Sequence, residues 1–380
     1  MTDPHLAFWQ KLFKAANTSE ASEEVRVRQL IKGGRPFLLI PCAASEASTT
    51  LDLYPAQTPR ARIARRILRT SLSLGLGVGT QPLSLQIARS DPFTKFLSDT
   101  SDTPQDAPLR FGVLAGNPAA DTQRFLILLF GRQGNPAAVV KVGLSARARS
   151  LVQKELSFLD HVPAEMPGIP RLRGAFEDSE RQALALEYFS GTTPSTGKEF
   201  PALSRLLHAW VNPQQSFRLS ALPDIKRLEA KSPGNPHIKT ILETLAERSV
   251  SATLQHGDFA PWNIKVDAQQ FWTALDWERG ELEGVPGWDW FHYFLQKAIL
   301  VDRLGTNHLI QLARSILSAK EFREYASRAG IGGIEHPLML AYLLHSAEVI
   351  QPAEGLIQTR ELIRELSSRW ITSAPAAGSN

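Results

Sequence analysis

The chain has 380 residues, of which 43% are hydrophobic and 21% charged, a composition that excludes wholesale disorder and predicts folded units with sizeable cores. A single cysteine, Cys42, excludes an internal disulfide and a cysteine-ligated metal cluster, which suits a reducing compartment. The N-terminal residues lack a secretory signal pattern, and no apolar run approaches the roughly 20 residues that span a bilayer. We therefore expect a soluble cytoplasmic protein.

Basic charge is concentrated near the N-terminus. The formal net charge is +4, and residues 1–70 hold eleven Lys and Arg against six Asp and Glu. Five arginines alternate with apolar residues at helical spacing over residues 59–72, which predicts a basic amphipathic helix. Two interpretations are open. In the first, the helix contacts an anionic membrane surface or a polyanionic partner. In the second, it packs its apolar stripe on the protein and leaves its arginines in solvent. A nucleic-acid partner is not expected, and no oligomeric state is indicated.

The first 97 residues are predicted as an α/β extension of unknown role. Their pattern predicts a polar N-terminal helix, a strand at Pro36–Pro41, a second strand at Thr49–Tyr54 and then the basic helix. Turn-forming residues over 98–108 predict a linker or exposed loop. The extension either adds strands to the sheet that follows it or forms a separate basic module.

From residue 109 onward the pattern of apolar and turn-forming residues changes. It predicts a β-rich segment over 109–189, a mainly helical segment over 190–372 and a disordered tail at 373–380. The helical segment is interrupted by a hairpin that pairs Asn263–Val266 with Phe271–Leu275. The elements predicted in the β-rich segment are strands at Arg110–Ala115, Gln123–Phe130, Ala137–Val142 and Ala183–Phe189 and a helix at Ala146–Asp160.

The hairpin region brings two carboxylates and an amide close together in the sequence. Asp258 lies in a tight loop, Asn263 follows five residues later, and Asp276 stands at the end of the hairpin. Carboxylate and amide oxygens are the hard ligands that Mg²⁺ prefers, and the remaining carboxylate can serve as a base or orient an acceptor hydroxyl. Phosphoryl transfer requires little more than this positioning and charge neutralisation. The alternative is a hairpin whose Asp and Asn residues only cap turns.

The ordered set His256-Gly257-Asp258-x4-Asn263, followed thirteen residues later by Asp276, resembles the signature of the aminoglycoside phosphotransferase and choline kinase-like family. The resemblance implies an α+β, protein-kinase-like fold of two lobes, a small β-rich N-lobe and a larger helical C-lobe. It also implies that Asp258 is the catalytic base, that His256 orients the catalytic loop, and that Asn263 and Asp276 bind Mg²⁺.

The β-rich segment offers residues for ATP. Lys141 lies among β-branched residues, and Glu155 lies fourteen residues further on in the predicted helix. Kinase-type N-lobes pair such a lysine and glutamate so that the lysine contacts the nucleotide phosphates. The alternative for Lys141 is an edge-strand lysine in solvent. Gly116 and Asn117 either let backbone N–H groups approach phosphates or form an ordinary hairpin turn.

Two further assignments come from the resemblance alone. The backbone around Glu187 to Phe189 would hydrogen-bond adenine at the segment that links the lobes. Pro286-Gly287-Trp288-Asp289 resembles the family feature in which an aspartate supports the catalytic loop.

The leading hypothesis is an ATP- and Mg²⁺-dependent O-phosphotransferase that acts on a small hydroxylated acceptor. The alternatives are a nucleotide-binding scaffold of the same fold without transfer activity and a protein kinase-like enzyme. Protein phosphorylation is disfavoured because no Ala-Pro-Glu follows the site and Gly257 replaces the usual loop arginine. For the acceptor, Glu278, Glu281 and Glu283 either form an acidic pocket suited to an aminoglycoside or a solvated loop. Sugars and amino alcohols are equally open.

Overall fold

The computed structural model describes residues 4–13, 22–54, 56, 59–104, 107–116, 121–195, 197, 199–231, 233, 236–350 and 357–371. The chain divides into two compact units. The first comprises Met1–Asp160 and Pro170–Ser190, and the second comprises His161–Ile169 and Gly191–Asn380. The predicted tail at 373–380 lies outside the described residues.

The first unit is built on one eight-stranded sheet. Its strands, in chain order, are β1 (Ser22–Lys32), β2 (Arg35–Pro41), β3 (Thr80–Ala88), β4 (Phe111–Ala115), β5 (Arg124–Phe130), β6 (Pro136–Gly143), β7 (Leu172–Glu177) and β8 (Gln182–Glu187). Across the sheet the order is β3-β1-β2-β4-β5-β6-β8-β7, and each neighbouring pair is antiparallel. The N-terminal region therefore adds strands to the sheet and is not a separate module. The pairing of β2 with β4 joins these strands to the rest of the sheet.

Apolar side chains alternate along the central strands, so the sheet buries both of its faces. On one face Leu39 joins a core that includes Trp9 of helix α1 (Pro4–Gln10). On the other face Leu38 joins a core that includes Leu51 and Leu72. The N-terminal region thus contributes to both cores of the first unit.

The described part of the first unit also contains helices. The strand predicted at Thr49–Tyr54 is wrong, because this segment forms the end of a helix and a 3-10 turn, Leu51–Leu53. Ala47 and Leu51 lie one helical turn apart and are both buried, and the Thr50 hydroxyl donates to a carbonyl one turn back. Burial of this face outweighs the β propensity of the paired threonines. This helix is α2 (Ala44–Thr50), and the helices that follow it in the first unit are α3 (Pro59–Ser73), α4 (Pro92–Thr100) and α5 (Ala146–His161).

The segment predicted as a linker at 98–108 differs in the structure. Ser98 lies in the last turn of α4, and Ser101 and Thr103 are buried, with their hydroxyls 2.8 Å apart. The residues on both sides belong to the first unit. Residues 98–103 therefore form a helix end and a turn inside one compact unit, closed by their own hydroxyl hydrogen bonds.

The second unit is mainly helical. Its helices are α6 (Glu199–Ala209), α7 (Pro223–Glu229), α8 (Pro236–Leu245), α9 (Trp288–Leu300), α10 (Thr306–Ser318), α11 (Lys320–Ala329), α12 (Glu335–His345) and α13 (Ile357–Ile371). Two small antiparallel pairs accompany them, β9 (Val211–Arg218) with β10 (Ser249–Thr253) and β11 (Ile264–Val266) with β12 (Trp272–Ala274). The predicted α+β class and the predicted hairpin are confirmed. None of the helices that the structure describes is long and apolar enough to cross a membrane.

Residues His161–Ile169 belong to the second unit although they precede the last strands of the first in the chain. The Gly168 carbonyl accepts a hydrogen bond of 2.8 Å from the Ala274 N–H at the end of β12. The Pro167 carbonyl accepts a hydrogen bond of 2.9 Å from the Trp210 indole. This short segment therefore fixes the edge of the β11–β12 hairpin, on which the candidate site is built.

Candidate active site

The loop that follows β10 is shaped by Gly257. Its φ is 76°, in the left-handed region that favours glycine. A Cβ at this position would also lie 2.7 Å from the carbonyl oxygen of Arg279. Because both conformation and space require glycine here, the arginine of the protein-kinase loop cannot occupy this position without movement of the Arg279 backbone.

His256 is fully buried and ties the loop to the hairpin. Its Nδ1 accepts a hydrogen bond of 3.2 Å from the Asp258 N–H, and its Nε2 lies 2.9 Å from the Leu275 carbonyl, to which it donates. Burial lowers the pKa of His256 to about 4, against the opposing effect of the Asp258 charge. The ring is therefore neutral at physiological pH, and its two nitrogens connect the loop to the end of the hairpin.

Asp258 is held by two side chains. The Asn263 amide Nδ2 donates to its carbonyl oxygen at 2.8 Å and to its Oδ2 at 3.0 Å, and His292 Nε2 lies 3.0 Å from its Oδ1. Burial favours the neutral acid, but the hydrogen bond from His292 opposes it and prevails, so the pKa of Asp258 lies below its usual value. Asp258 is thus an ionised, oriented carboxylate.

His292 was not among the residues predicted from the sequence. It lies three residues after Asp289 on α9, so that both side chains project from one face of the helix. Its Nδ1 lies 3.1 Å from the hydroxyl of Tyr342 on α12. Burial raises the pKa of Tyr342, so the phenol keeps its proton and donates to Nδ1. The chain Tyr342–His292–Asp258 therefore fixes the imidazole with its Nε2–H directed at Asp258.

Asp289 holds the backbone of the loop, as its resemblance to the family feature implies. It accepts hydrogen bonds from the backbone N–H groups of His256, at 2.7 Å, and Gly257, at 3.1 Å. Burial raises the pKa of Asp289 to about 7, although these two donors favour the carboxylate. The side chain belongs to the scaffold of the loop, because both of its oxygens are engaged by backbone donors.

Asn263 and Asp276 lie on the two arms of the hairpin. The Leu275 N–H donates to the Asn263 carbonyl at 2.7 Å, which brings Asp276 to the neighbouring position. Asp276 has a φ of 74°, a conformation uncommon outside glycine but more accessible to Asp and Asn. Residues held in such conformations cluster at functional sites. The structure thus brings Asp258, Asn263 and Asp276 together in one hairpin region.

The donor set at this hairpin fits Mg²⁺. The amide nitrogen of Asn263 is engaged with Asp258, so the amide oxygen is its remaining ligand atom. Asp276 would add a carboxylate. Among the described residues no group of three His, Cys, Asp or Glu side chains could hold a metal ion. Mg²⁺ suits such a sparse set, since it usually takes one or two carboxylates and completes its shell with phosphate and water oxygens.

In the first unit, Lys141 and Glu155 form the predicted ion pair. Lys141 lies on β6 between Leu126 and Leu184 of the neighbouring strands, and Glu155 lies on α5. The Lys141 Nζ lies 2.7 and 2.8 Å from the two carboxylate oxygens. Both side chains are buried, so Lys141 is not the solvent-exposed edge lysine of the alternative interpretation.

The remaining nucleotide candidates have less support. The Gly116 N–H donates to the Arg124 carbonyl at 2.9 Å and closes the β4–β5 hairpin, so the structure uses it as an ordinary turn residue. Asn117 lies outside the described residues. The Glu187 N–H donates to the Arg171 carbonyl at 3.1 Å, which leaves the Glu187 carbonyl and the Phe189 N–H as the backbone groups to consider for adenine.

The acidic residues proposed for an acceptor pocket are partly neutralised. Glu281 Oε1 accepts a hydrogen bond of 2.6 Å from Arg227, which also binds Asp224 at 2.6 Å. Glu283 is exposed. The segment therefore has less negative potential than its sequence indicates.

No family model and no curated protein matches the chain. Solved structures similar to it include the aminoglycoside phosphotransferase APH(4)-Ia in a ternary complex with ADP and hygromycin B, at 15% identity and a TM-score of 0.45, over 75% of this chain and 99% of that one. A proposed fructosamine-3-kinase from Haemophilus somnus is similar at 13% identity and a TM-score of 0.42, over 72% of this chain and 96% of that one.

A third similar structure is the aminoglycoside phosphotransferase APH(3'')-Id from Streptomyces rimosus. It has 12% identity and a TM-score of 0.41, over 67% of this chain and 98% of that one. The two aminoglycoside enzymes are of the class that the motif around Asp258 resembles. At these identities and TM-scores the similarity assigns neither family membership nor activity to this chain.

Proposed function

We propose that this chain is an ATP- and Mg²⁺-dependent phosphotransferase that moves the γ-phosphoryl group to a hydroxyl of a small molecule. One observation carries the proposal: an ionised Asp258, oriented by Asn263 and His292, stands in the same hairpin region as the oxygen ligands Asn263 and Asp276. A turn-capping role does not require this arrangement, because His292 and Asp289 come from a separate helix to fix the loop.

In the proposed reaction the acceptor oxygen attacks the γ-phosphorus. A bond forms between these two atoms while the bond from the γ-phosphorus to the bridging oxygen of ADP breaks. Asp258 orients the acceptor hydroxyl and takes its proton, so that the products are the phosphate ester and ADP. Such a carboxylate need not be a strong base, because phosphoryl transfer proceeds through a loose transition state in which positioning matters most.

The nucleotide roles implied by the resemblance are kept as part of the proposal. Lys141, held by Glu155, would neutralise charge on the phosphates, while the Glu187 carbonyl and the Phe189 N–H would bind adenine. Asn263 and Asp276 would hold Mg²⁺, which supplies charge neutralisation on the phosphates when it is bound. The Arg227 contact to Glu281 disfavours a polycationic aminoglycoside as acceptor and favours a neutral sugar.

The decisive experiment measures ATP consumption over a panel of sugars, amino alcohols, nucleosides and aminoglycosides. With the true acceptor, Asp258→Asn should lower kcat by a factor of about 100 or more, since general-base catalysis contributes about 10²- to 10⁴-fold. Asp276→Asn should chiefly impair use of Mg-ATP. Asparagine tolerates the left-handed backbone at this position, so the effect reports the lost charge rather than released strain.

The matched control is Asp160→Asn, which removes one exposed carboxylate from α5. Unchanged turnover in Asp258→Asn would reject the assignment of the site. Mg-dependent ATP binding without transfer to any acceptor would favour the scaffold alternative, and transfer to a protein substrate alone would favour the protein kinase.

A further inference from the structure

Helix α3 and the turn after it expose an unusual number of large apolar side chains. Nine large hydrophobic residues are exposed among the residues that the structure describes, and five of them lie between positions 63 and 78. We call these five the α3 surface. They are Ile63, Ile67, Leu74, Leu76 and Val78, each more than half exposed.

The helix has two apolar stripes that face in different directions. Leu68 and Leu72 are one turn apart and pack in the core of the first unit beside Leu38. Ile63 and Ile67 are also one turn apart, but they are 60% and 66% exposed. The inner stripe explains why α3 folds against the sheet. The outer stripe belongs to neither core of the first unit among the described residues.

The α3 surface is surrounded by positive charge. Arg60, Arg62 and Arg66 are exposed beside the outer stripe, and the guanidinium of Arg28 lies against Gly77 in the turn. The sequence contains no Asp or Glu between residues 53 and 90. The preceding carboxylate, Asp52, is paired with Arg69. The arginines around the outer stripe are therefore not balanced by acidic residues of the same segment.

We propose that the α3 surface binds the surface of an anionic lipid bilayer. Exposed arginines are attracted to lipid phosphates, and aliphatic side chains between them can enter the boundary between headgroups and acyl chains. A nucleic acid would use the arginines but would gain little from five aliphatic side chains. The proposal is independent of phosphotransfer, because none of the residues of the α3 surface belongs to the candidate active site.

The experiment is co-sedimentation of the full chain with vesicles of phosphatidylcholine alone and with 30% phosphatidylglycerol. We expect binding to the anionic vesicles that weakens with added salt, and much weaker binding to the neutral ones. Arg60→Gln with Arg66→Gln should weaken binding about 25-fold, since each basic residue at such a surface contributes about fivefold. Ile63→Ser with Ile67→Ser should weaken it at least tenfold, from the lost transfer of apolar surface.

The matched control is Arg314→Gln with Arg323→Gln, which removes the same charge from exposed positions of the second unit. Equal losses in this control and in the Arg60 and Arg66 variant would overturn the proposal, as would salt-independent binding to both kinds of vesicle or no binding. If the protein self-associates without lipid and the isoleucine variant does not, the partner of the α3 surface is a second copy of the chain and not a bilayer. If the protein binds an RNA or DNA oligonucleotide tightly and the isoleucine variant retains this binding, the partner is a polyanion and not a bilayer. If the isoleucine variant fails to fold, the arginine variants decide the question.

Discussion

The side chain of Asp258 is subject to two opposing influences. Burial disfavours its charge, whereas the hydrogen bond from His292 favours it and prevails. A carboxylate whose pKa lies below its usual value is ionised throughout the physiological range. Such a group is suited to hold an acceptor hydroxyl in line with the γ-phosphorus and to receive its proton late in the reaction.

Replacement of His292 should change the pH dependence of the reaction. His292→Gln removes the imidazole that lowers the pKa of Asp258, so that pKa should rise. As the pH falls, the carboxylate is then protonated at a higher pH than in the parent protein. We expect the acid limb of the kcat/KM profile to move to higher pH, with activity largely retained on the alkaline side.

Two controls separate this effect from a general loss of structure. Tyr342→Phe keeps the imidazole but removes the hydroxyl at its Nδ1, so it should shift the acid limb less than His292→Gln. His336→Gln replaces an exposed histidine and should leave the profile unchanged. An acid limb that stays in place or moves to lower pH in His292→Gln would contradict the role given to His292.

The separation of the site residues along the chain decides which of them the sequence can reveal. Asp258, Asn263 and Asp276 lie within a stretch short enough for one loop and hairpin to join them, and the pattern predicts that hairpin. His292 carried a weak signal, its spacing of three residues from Asp289 on a helix. Tyr342 lies fifty residues beyond His292 on another helix, and only tertiary packing brings them together.

At the scale of elements, β6 and α5 are joined by the buried contact between Lys141 and Glu155. Two buried charges are favourable only as a pair, because removal of one leaves the other in a medium of low dielectric constant. The pair therefore fixes the position of α5 on the sheet and holds the Lys141 ammonium at one place.

Lys141→Met should lower the free energy of unfolding of the first unit by about 3–5 kcal/mol, since it leaves the buried Glu155 carboxylate without its ammonium partner. Lys141→Met combined with Glu155→Leu should recover most of that loss, and neither variant should bind ATP normally. Hydrogen exchange in peptides from β6 and α5 measures the stability. Lys154→Met, an exposed lysine next to Glu155, serves as the control. A double variant as unstable as the single one would refute the pairing argument.

Local patterns predicted some of the strands and missed others. Strands β4, β5, β6 and β8 and helix α5 follow short-range signals, and the structure has them at nearly the predicted bounds. Strands β1, β3, β7, β9 and β10 were missed. β1 reads Ser-Glu-Glu-Val-Arg-Val-Arg, so its charged residues conceal an alternation that only pairing with β2 and β3 reveals. The segment Thr49–Tyr54, which ends α2 and forms a 3-10 turn, was predicted as a strand because its packing partner, the sheet, is non-local.

At the scale of the whole molecule, the N-terminal region is part of the first unit and is held there by Arg181. Its guanidinium is buried and donates to both carboxylate oxygens of Asp91 at 2.8 Å, to Asp178 at 2.7 Å and to the Leu12 carbonyl at 3.2 Å. It also lies over the ring of Phe93. The turn between β7 and β8 is thereby linked to the ends of α1 and α4, which lie about 90 or more positions earlier in the chain.

A chain that lacks residues 1–97 should therefore fail to fold its first unit, and Arg181→Met should destabilise that unit by about 3–5 kcal/mol. Both losses follow from buried carboxylates and cores that the remaining residues cannot complete. Arg173→Met, an exposed arginine on β7, is the matched control. Hydrogen exchange in peptides from β4 to β8 is the measurement, and protection that persists without residues 1–97 would show an independent N-lobe.

The Arg181 contacts also impose an order on biosynthesis. Ribosomes add about 5–20 residues per second, so Asp91 is translated about 5–18 s before Arg181, which lies 90 positions later. During that interval α4 and its phenylalanines lack the side chain that completes their environment. The nascent polypeptide thus carries an unfinished apolar surface until Arg181 has been added, which makes it a client for chaperones that shield emerging chains.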